Sequence, residues 1–71
     1  LRGIRCNAVA PGMIKTAMTA KLSDRVAKRW QKRIPMHRFG TPDEVAQTVE
    51  FLIDNHYMTG QVVTLDGGLT I

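Results

Sequence analysis

The segment best suited to bind a ligand runs from Pro11 to Thr16. Backbone amides and carbonyls at Met13 and Ile14, together with the Thr16 hydroxyl, could bind an amide or phosphate group. Gly12 lets such a group come close because it has no side chain. Ligands of open parallel sheets bind outside the carboxyl ends of the strands, which is where this loop would lie. A proline and a glycine after a strand also suit a simple turn, and both interpretations stay open at this level.

The other residues with chemical potential are isolated in the sequence. His37 and His56 lie far apart and have no cysteine or paired carboxylates at metal-ligand spacing, so we interpret both as surface or turn residues and predict no metal site. The one cysteine, Cys6, cannot form an internal disulfide. We interpret it as a small buried residue in a strand rather than as a reactive thiol, and its solitary state favours a reducing compartment.

Two apolar segments are predicted to be the strands that position this loop. The first, Ile4 to Ala10, does not alternate strictly between apolar and polar residues, which is typical of a strand covered on both faces. The second, Gln61 to Leu65, is β-branched and stops at Asp66-Gly67-Gly68. Because two helices lie between them, the strands are predicted to be parallel and joined by a crossover. The alternative is a hairpin at Asp66-Gly67 that pairs the second strand with Leu69 to Ile71, a short arm.

The two intervening helices have clear start and stop signals. Ser23 to Arg33 is predicted to be an amphipathic helix, capped by Ser23 and stopped by Pro35. Its apolar stripe comprises Leu22, Val26, Trp30 and Ile34. Thr41-Pro42-Asp43-Glu44 is a capping box, which predicts a second helix that ends near Asp54-Asn55. The buried face predicted for this helix comprises Val45, Ala46, Val49, Leu52 and Ile53.

Size and charge limit what the chain can do by itself. A chain of 71 residues is marginal as an independent fold. A parallel pair of strands also needs further strands and helices around it, so we expect neighbouring elements outside this sequence. The net charge of +4 is concentrated in the middle of the chain, which could contact an acidic protein, a phosphate backbone or an anionic membrane, although a solvated helix face is commoner.

Four motifs in the chain resemble those of the short-chain dehydrogenase/reductases, in the same order. They run from Ile4 to Thr19, from Ile34 to Ala46, over Phe51-Leu52, and from Tyr57 to Gly68. Within that family the chain is most similar to the 3-oxoacyl-[acyl-carrier-protein] reductases. The resemblance implies an α/β fold in which residues 1–71 are the C-terminal segment of a single NAD(P)-binding Rossmann domain. This segment would be a βααβ fragment of a doubly wound parallel sheet, with the N-terminal part missing.

The resemblance also implies which residues would hold the cofactor. Pro11 and Gly12 would shape the nicotinamide side of its pocket. The Ile14 backbone would hold the carboxamide, and the Thr16 hydroxyl would reach the carboxamide or the pyrophosphate.

A substrate lobe is implied by the same resemblance. The helix from Ser23 would belong to a mobile lobe that closes over substrate, with Met18, Leu22 and Trp30 as apolar contacts. Ordinary helix packing is the competing interpretation of these three side chains.

No catalytic residue is expected in this chain. In the family pattern the glycine-rich loop, the catalytic serine and the Tyr-x-x-x-Lys motif lie upstream of Leu1, and Tyr57 has Gln61 where lysine is required. In the parent protein the tyrosine would act as the acid, the lysine would lower its pKa and the serine would polarise the carbonyl. We therefore expect the parent to be an NAD(P)-dependent enzyme and the chain alone to be inactive.

The expected reaction is reduction of a 3-oxoacyl thioester to the 3-hydroxyacyl form, on a small-molecule or carrier-bound acyl substrate. The cofactor would be NADP or NAD, with NADP favoured. The alternatives are a related dehydrogenase that acts on another carbonyl or alcohol, and a non-catalytic assembly module formed by the isolated chain. We expect cytoplasmic localisation, or an organelle matrix if a transit peptide preceded Leu1.

Two kinds of partner are expected. One is a second copy of the chain, which would form a homo-oligomer through the Val45 to Ile53 helix and the Gln61 to Leu65 strand. The other is an acidic acyl carrier protein, which would meet the basic helix. Nucleic acid is not expected as a partner, because the basic helix has no interleaved aromatic residues. A membrane is not expected either, because the sequence has no apolar run long enough to span a bilayer.

Overall fold

The computed structural model describes residues 3–70, which fold in the order strand, helix, helix, strand. The two strands form one parallel sheet, as the sequence predicts, and the α/β class is confirmed. A short 3-10 helix at Thr19–Lys21 precedes the first α-helix. The regular elements are β1 (Ala8–Pro11), α1 (Asp24–Arg33), α2 (Pro42–Asp54) and β2 (Val62–Leu65).

The register of the sheet explains how Pro11 fits inside a strand. Ala8 lies opposite Val62 and Pro11 lies opposite Leu65. The Ala8 amide donates to the Gln61 carbonyl at 2.9 Å, and the Gly12 amide donates to the Leu65 carbonyl at 3.0 Å. Since alternate residues of a parallel strand bond to the same neighbour, Pro11 turns its nitrogen to the opposite edge. Its missing N–H therefore costs no hydrogen bond to β2.

The first strand is shorter than predicted, beginning at Ala8 and not at Ile4. Cys6 precedes β1 and is exposed, so its interpretation as a buried strand residue is wrong. Its backbone is bonded to a turn instead: the Cys6 amide donates to Thr59 Oγ1 at 3.1 Å, and its carbonyl accepts from the Gly60 amide at 2.7 Å. The prediction of a strand covered on both faces is also wrong for this chain, because three of the four residues of β1 are exposed.

Helix α1 has the predicted bounds and the predicted cap. The Ser23 hydroxyl accepts from the Val26 amide at 3.2 Å. Of the apolar stripe, Ile34 is almost wholly buried at 1% exposure, while its three other members are half-buried. Ile34 lies against Gly67, where an added Cβ would come within 2.8 Å of the Ile34 Cγ2 atom. The C-terminal end of α1 is therefore fixed to the end of β2, and its basic side remains in solvent.

Helix α2 begins with the predicted capping box. Thr41 Oγ1 accepts from the Glu44 amide at 3.2 Å, and a Glu44 carboxylate oxygen accepts from the Thr41 amide at 2.9 Å. The prediction of its buried face is only partly right: Leu52 is buried and Val45 is half-buried, whereas the other three residues are exposed. The three exposed residues are Ala46, Val49 and Ile53. Val49 and Ile53 line an open groove beside Val9 of β1, and no element within residues 3–70 covers them.

A turn organised by Asp66 follows β2. The Asp66 carboxylate accepts from Thr70 Oγ1 at 2.7 Å, from the Thr70 amide at 3.2 Å and from the Gly68 amide at 3.0 Å. The bond from the Thr70 hydroxyl is the main cause that lowers the pKa of Asp66, followed by the bond from Gly68. Residues 66–70 bend away in this turn, so the alternative hairpin does not form in the described part; Ile71 lies outside the described residues.

Candidate functional site

The loop from Pro11 to Thr16 leaves the carboxyl end of β1 beside the carboxyl end of β2, since the strands are parallel. Its middle is bonded to the segment before α2. The Gly40 amide donates to the Met13 carbonyl at 2.9 Å, and the Lys15 amide donates to the Gly40 carbonyl at 2.8 Å. The loop is thus held by β1 at its start and by Gly40 at its middle, which suits a binding element more than a free turn.

The Ile14 backbone turns away from this bridge. In a parallel bridge the residue between the two bonded neighbours directs its own N–H and C=O to the other side. The Ile14 carbonyl accepts from Thr19 Oγ1 at 3.0 Å. Its amide has no hydrogen-bond partner within residues 3–70. Ile14 therefore offers a donor and a neighbouring acceptor, the pair that a carboxamide group requires.

Thr16 stands beside Ile14 and is exposed. The Thr16 amide donates to Thr19 Oγ1 at 2.7 Å, and the Thr19 amide approaches Thr16 Oγ1 at 3.4 Å, a long bond. This reciprocal arrangement begins the 3-10 helix. Since the Thr16 hydroxyl only accepts here, its O–H remains able to donate to a carboxamide or phosphate oxygen.

Gly12 is required by packing against the end of β2. An added Cβ at Gly12 would lie 2.7 Å from Asp66 Cβ and 3.1 Å from Asp66 Cα. The absence of a side chain at Gly12 therefore lets the Asp66 backbone come close, as well as a ligand. Pro11, the preceding residue, is exposed at the end of β1.

The three residues predicted for a substrate lobe do not line a common pocket. Leu22 is half-buried and lines a groove between α1 and the segment around Phe39, together with Ala27. Met18 is 80% exposed, and neither it nor Trp30 lines that groove. The Arg33 guanidinium lies 5.0 Å from the centre of the Trp30 ring, which is a cation–π distance.

An ion pair borders the same end of the sheet. Arg38 donates through both terminal nitrogens to the Glu44 carboxylate, at 2.8 Å in each case. These bonds, with that from the Thr41 amide, lower the pKa of Glu44 to about 2, and Glu44 in turn raises the pKa of Arg38. Arg38 also donates to the Phe39 carbonyl at 3.2 Å, but its main partner is this carboxylate.

A second arginine, Arg5, which no sequence pattern indicates, holds the end of α2. The Arg5 guanidinium donates to four backbone carbonyls near the end of α2, at distances of 2.8 to 3.2 Å. Those carbonyls belong to Leu52, Ile53, Asn55 and Met58. Carbonyls at a helix C-terminus lack helical partners, and a planar guanidinium can satisfy several at once. No local signal marks this role, because the partners lie about 50 residues further along the chain.

Asn7 links the start of β1 to the segment between α2 and β2. Its side-chain amide donates to the Met58 carbonyl at 3.1 Å, and its Oδ1 accepts from the Gln61 amide at 3.1 Å. Asparagine is depleted within strands, so its place inside the predicted strand Ile4 to Ala10 is the signal that could have identified it. Asn7 therefore fixes the entry of β2 beside the entry of β1.

The other candidates for chemistry, a metal site and the two histidines, form no further site within residues 3–70. Across residues 3–70 no group of three His, Cys, Asp or Glu side chains could hold a metal ion. His37 and His56 are exposed, as predicted. Neither helix in this part of the chain has the length and apolar character needed to cross a bilayer.

Comparison with known proteins places these features in a family. The family model described as enoyl-(acyl carrier protein) reductase matches residues 1–70. The 3-oxoacyl-[acyl-carrier-protein] reductase FabG of Thermotoga maritima is 53% identical over 72 residues, which cover 99% of this chain and 29% of that protein. Carbonyl reductase family member 4 of Danio rerio is 51% identical over 70 residues, covering 99% of this chain and 28% of that protein.

Solved structures share the fold. The 3-oxoacyl-[acyl-carrier protein] reductase from Brucella melitensis superposes with a TM-score of 0.90 at 41% identity, covering 97% of this chain and 26% of that one. A small-chain dehydrogenase in complex with NADPH gives a TM-score of 0.83 at 35% identity, over 96% of this chain and 33% of that one. The chain thus spans about a third or less of the proteins it matches. The match along residues 1–70 and the shared fold show that this chain belongs to the short-chain dehydrogenase/reductase family.

Proposed function

We propose that this chain is the C-terminal part of an NAD(P)-dependent reductase that converts a 3-oxoacyl thioester to the 3-hydroxyacyl form. The observation that carries the proposal is the Ile14 backbone, whose N–H has no partner within residues 3–70 and lies beside its carbonyl in the loop that follows β1. High identity to 3-oxoacyl-[acyl-carrier-protein] reductases supports the same substrate class. In this proposal residues 1–71 complete a single domain whose catalytic serine, tyrosine and lysine lie upstream.

The loop residues fit a nicotinamide cofactor. The Ile14 amide and carbonyl would bind the carboxamide, and the Thr16 hydroxyl would donate to the carboxamide or to a phosphate oxygen. Pro11 and Gly12 would form the wall next to the nicotinamide ring, and Gly12 packs closely against Asp66. The cofactor, when bound, supplies the hydride. We favour NADP over NAD, in keeping with the related small-chain dehydrogenase in complex with NADPH.

The exposed apolar side of α2 supports the proposal that more of the domain covers it. Val49 and Ile53 line a groove beside β1 together with Arg5, Asn7 and Val9. Parallel strands are stable only with further strands and helices around them. We assign this groove to upstream elements of the same domain, and we keep Met18, Leu22 and Trp30 as contacts of the substrate lobe.

A homo-oligomer is part of the proposal. Phe51 on α2 and Val62 on β2 are 53% and 68% exposed, and both lie in the segments expected to contact a second copy. Sedimentation velocity of the full-length protein tests this: Phe51→Asp combined with Val62→Asp is expected to yield monomers. Retention of the oligomer in this variant would contradict the assigned interface, and Phe51→Leu with Val62→Ile serves as the control.

The experiment that tests the reaction uses the full-length protein that contains this segment. Loss of absorbance at 340 nm is followed with acetoacetyl thioester as substrate, and with NADPH and NADH in separate assays. Turnover with the thioester, faster with NADPH, is the expected result. A protein that turns over none of the thioesters tested would overturn the proposed activity.

A second candidate has its own observation. The relatives include carbonyl reductase family member 4 of fish and frog, at about 50% identity. A related activity on a different carbonyl or alcohol is therefore the competing function. It predicts a higher kcat/KM for simple ketones or quinones than for the acetoacetyl thioester. A non-catalytic assembly module instead predicts that the isolated 71-residue chain sediments as a folded, discrete oligomer, whereas a mere fragment would be disordered or aggregated.

Location follows from the same proposal. Reductases that depend on NADPH work where that cofactor is kept reduced, so we place the protein in the cytoplasm or in an organelle matrix. The exposed thiol of Cys6, without a cysteine partner in the sequence, suits a reducing compartment.

A further inference from the structure

Asp66 lies in the chain between two residues whose carbonyl groups hold separate segments. The Leu65 carbonyl accepts from the Gly12 amide at 3.0 Å. The Gly67 carbonyl accepts from the Met36 amide at 3.1 Å. The bond that holds the candidate cofactor loop and the bond that holds the segment after α1 are therefore separated by Asp66 alone.

Close packing reinforces both of these attachments. An added Cβ at Gly12 would lie 2.7 Å from Asp66 Cβ. An added Cβ at Gly67 would lie 2.8 Å from Ile34 Cγ2, and Ile34 is almost wholly buried. Because such distances leave no space between the packed groups, a shift of the turn after β2 would displace Gly12 and Ile34 together.

The conformation of this turn depends on the Asp66 carboxylate. Gly67 and Gly68 both have positive φ, at 63° and 95°, a conformation that glycine permits but does not fix. The carboxylate accepts from the Gly68 amide at 3.0 Å and from Thr70 Oγ1 at 2.7 Å. Hydrogen bonds to a charged acceptor are stronger than those between neutral groups. Asp66 is therefore the residue that holds the two glycines in one conformation.

The position of the turn is unlike that of a turn that only ends a strand. Asp-Gly turns are common where the chain reverses in solvent. Here Asp66 and Gly67 are half-buried, and with Met13 and Met36 they line a cavity of about 80 Å³. The turn thus lies between the candidate cofactor loop and the segment that follows α1.

We propose that Asp66 is a positioning residue, which holds the cofactor loop and the substrate lobe of α1 at a fixed separation. This inference rests on the proposed function, in which those two segments bind the cofactor and the thioester. Asp66 touches neither ligand; it acts through Gly12 on one side and through the Gly67 carbonyl on the other. Loss of its hydrogen bonds therefore weakens both binding steps together.

The test measures both binding steps in the full-length protein. Thr70→Val removes the hydroxyl that donates to Asp66 and keeps the size of the side chain. The KM for NADPH and the KM for acetoacetyl-N-acetylcysteamine are each expected to rise roughly threefold or more, the scale of one hydrogen bond. Thr70→Ser keeps the hydroxyl and should restore both values. A rise in only one KM, or in neither, would overturn the joint role of the turn.

Asp66→Asn is a larger change at the turn itself. Asparagine keeps the size of the side chain but replaces one acceptor oxygen with an NH2 group, which cannot accept the bond from the Thr70 amide. Both KM values are expected to rise by roughly tenfold, more than in Thr70→Val. Gly40 still bonds to the loop after β1, so we expect this variant to fold. Unchanged KM values in Asp66→Asn would contradict the proposal.

A variant destabilised elsewhere separates positioning from stability. Arg5→Lys removes bonds at the end of α2 and leaves the contacts of Gly12 and Met36 in place. At a temperature where all variants are folded, its two KM values should stay within about twofold of those of the unmodified protein, as for independent sites. A rise in Arg5→Lys equal to that in Thr70→Val would mean that both variants report lost stability alone, which would overturn the role of Asp66.

Amide hydrogen exchange tests the positioning without any turnover. In Thr70→Val the amides of Gly12 and Met36 are expected to exchange faster, because the carbonyls that accept from them adjoin Asp66, while exchange within α2 keeps its rate. This result would stand even if no thioester were reduced, in which case the proposed reaction fails alone. Unchanged exchange at both amides would overturn the proposal whatever the kinetics showed.

Discussion

The Arg38 guanidinium and the Glu44 carboxylate meet through two parallel hydrogen bonds of 2.8 Å each. Glu44 also accepts from the Thr41 amide, so one carboxylate ties the segment before α2 to the first turn of that helix. The same segment bonds to the loop around Ile14 through Gly40. The position of the candidate cofactor loop therefore depends on the contacts at the N-terminus of α2.

Protonation of Glu44 is the first prediction. The bonds from Arg38 and Thr41 lower its pKa from 4.5 to about 2. A lowered pKa in the folded state means that Glu44 contributes stability that is fully present above about pH 4.5 and is lost as the pH falls toward 2. The titration of the Glu44 carboxyl carbon, followed by NMR in the folded protein, is expected to have its midpoint near the lower value.

Removal of the arginine supplies the control for this titration. In Arg38→Gln the midpoint for Glu44 is expected to rise, because the largest cause of the lowered pKa is gone. Arg38→Lys should give an intermediate value, since lysine keeps the charge and lacks the planar fork. A midpoint that does not move in Arg38→Gln would contradict the assigned cause.

Loss of the Arg5 clamp is the second prediction. Arg5→Lys removes the planar donor set that satisfies carbonyls at the end of α2, and one ammonium cannot reproduce all four bonds. The free energy of unfolding of the full-length protein is expected to fall by about 2 kcal/mol, a magnitude typical of hydrogen bonds to charged groups. Urea denaturation measures the change.

The clamp also makes a local prediction. Amide hydrogen exchange in residues 51–60 should accelerate in Arg5→Lys more than exchange in α1, because the clamp holds the former and not the latter. Arg25→Lys, on the exposed side of α1, is the matched control and should change neither quantity. Uniform acceleration along the chain would show that Arg5 acts on global stability alone.

Substitution of Gly12 is the third prediction. In Gly12→Ala the new Cβ meets the backbone and Cβ of Asp66 at 3.1 and 2.7 Å, and neither can move without shifting β2. We expect a loss of about 1–3 kcal/mol in the free energy of unfolding, as for overpacked sites.

A second glycine offers the comparison. Gly60 has φ of +71° and no heavy atom within 4 Å of an added Cβ, so the Cβ of Gly60→Asn has room and asparagine tolerates this conformation. It should cost much less than Gly12→Ala in the same denaturation experiment. A Gly12→Ala protein as stable as the unmodified one would contradict the close packing on Asp66.

The hydroxyl of Thr16 is the fourth prediction. If its O–H donates to the cofactor, Thr16→Val in the full-length protein should raise the KM for NADPH by roughly 3- to 10-fold, the equivalent of one hydrogen bond. Thr16→Ser keeps the hydroxyl and should restore the original value. An unchanged KM in Thr16→Val would remove Thr16 from the cofactor site, while the assignment of Ile14 would stand.

The helix caps could be predicted from the sequence, because each depends on contacts between residues close together in the chain. The capping box at Thr41 and Glu44 and the Ser23 cap each join residues three positions apart, and each is found as predicted. The parallel pairing of the strands also followed from the length of the connection between them.

Features that join distant segments were not predictable in the same way. Arg5 finds its partners 47 to 53 residues away, and nothing in its neighbours along the chain indicates them. The apolar pattern of α2 predicts burial of Val49 and Ile53, yet both are exposed, because burial depends on the elements that cover them. Cys6 was predicted to lie in a strand, but the chain before Ala8 bonds to a turn and not to a strand.

The bridge between Ile14 and Gly40 has a consequence for how this protein can vary. It closes residues 15–39 into a loop whose two ends meet, with the contact of Ile34 on Gly67 as a second attachment. Length and charge in the rest of that loop can therefore change without altering the register of β1 and β2. Among relatives that share this sheet, we expect substrate preference to differ mainly through residues 15–39. This segment can be exchanged while the two strands stay the same.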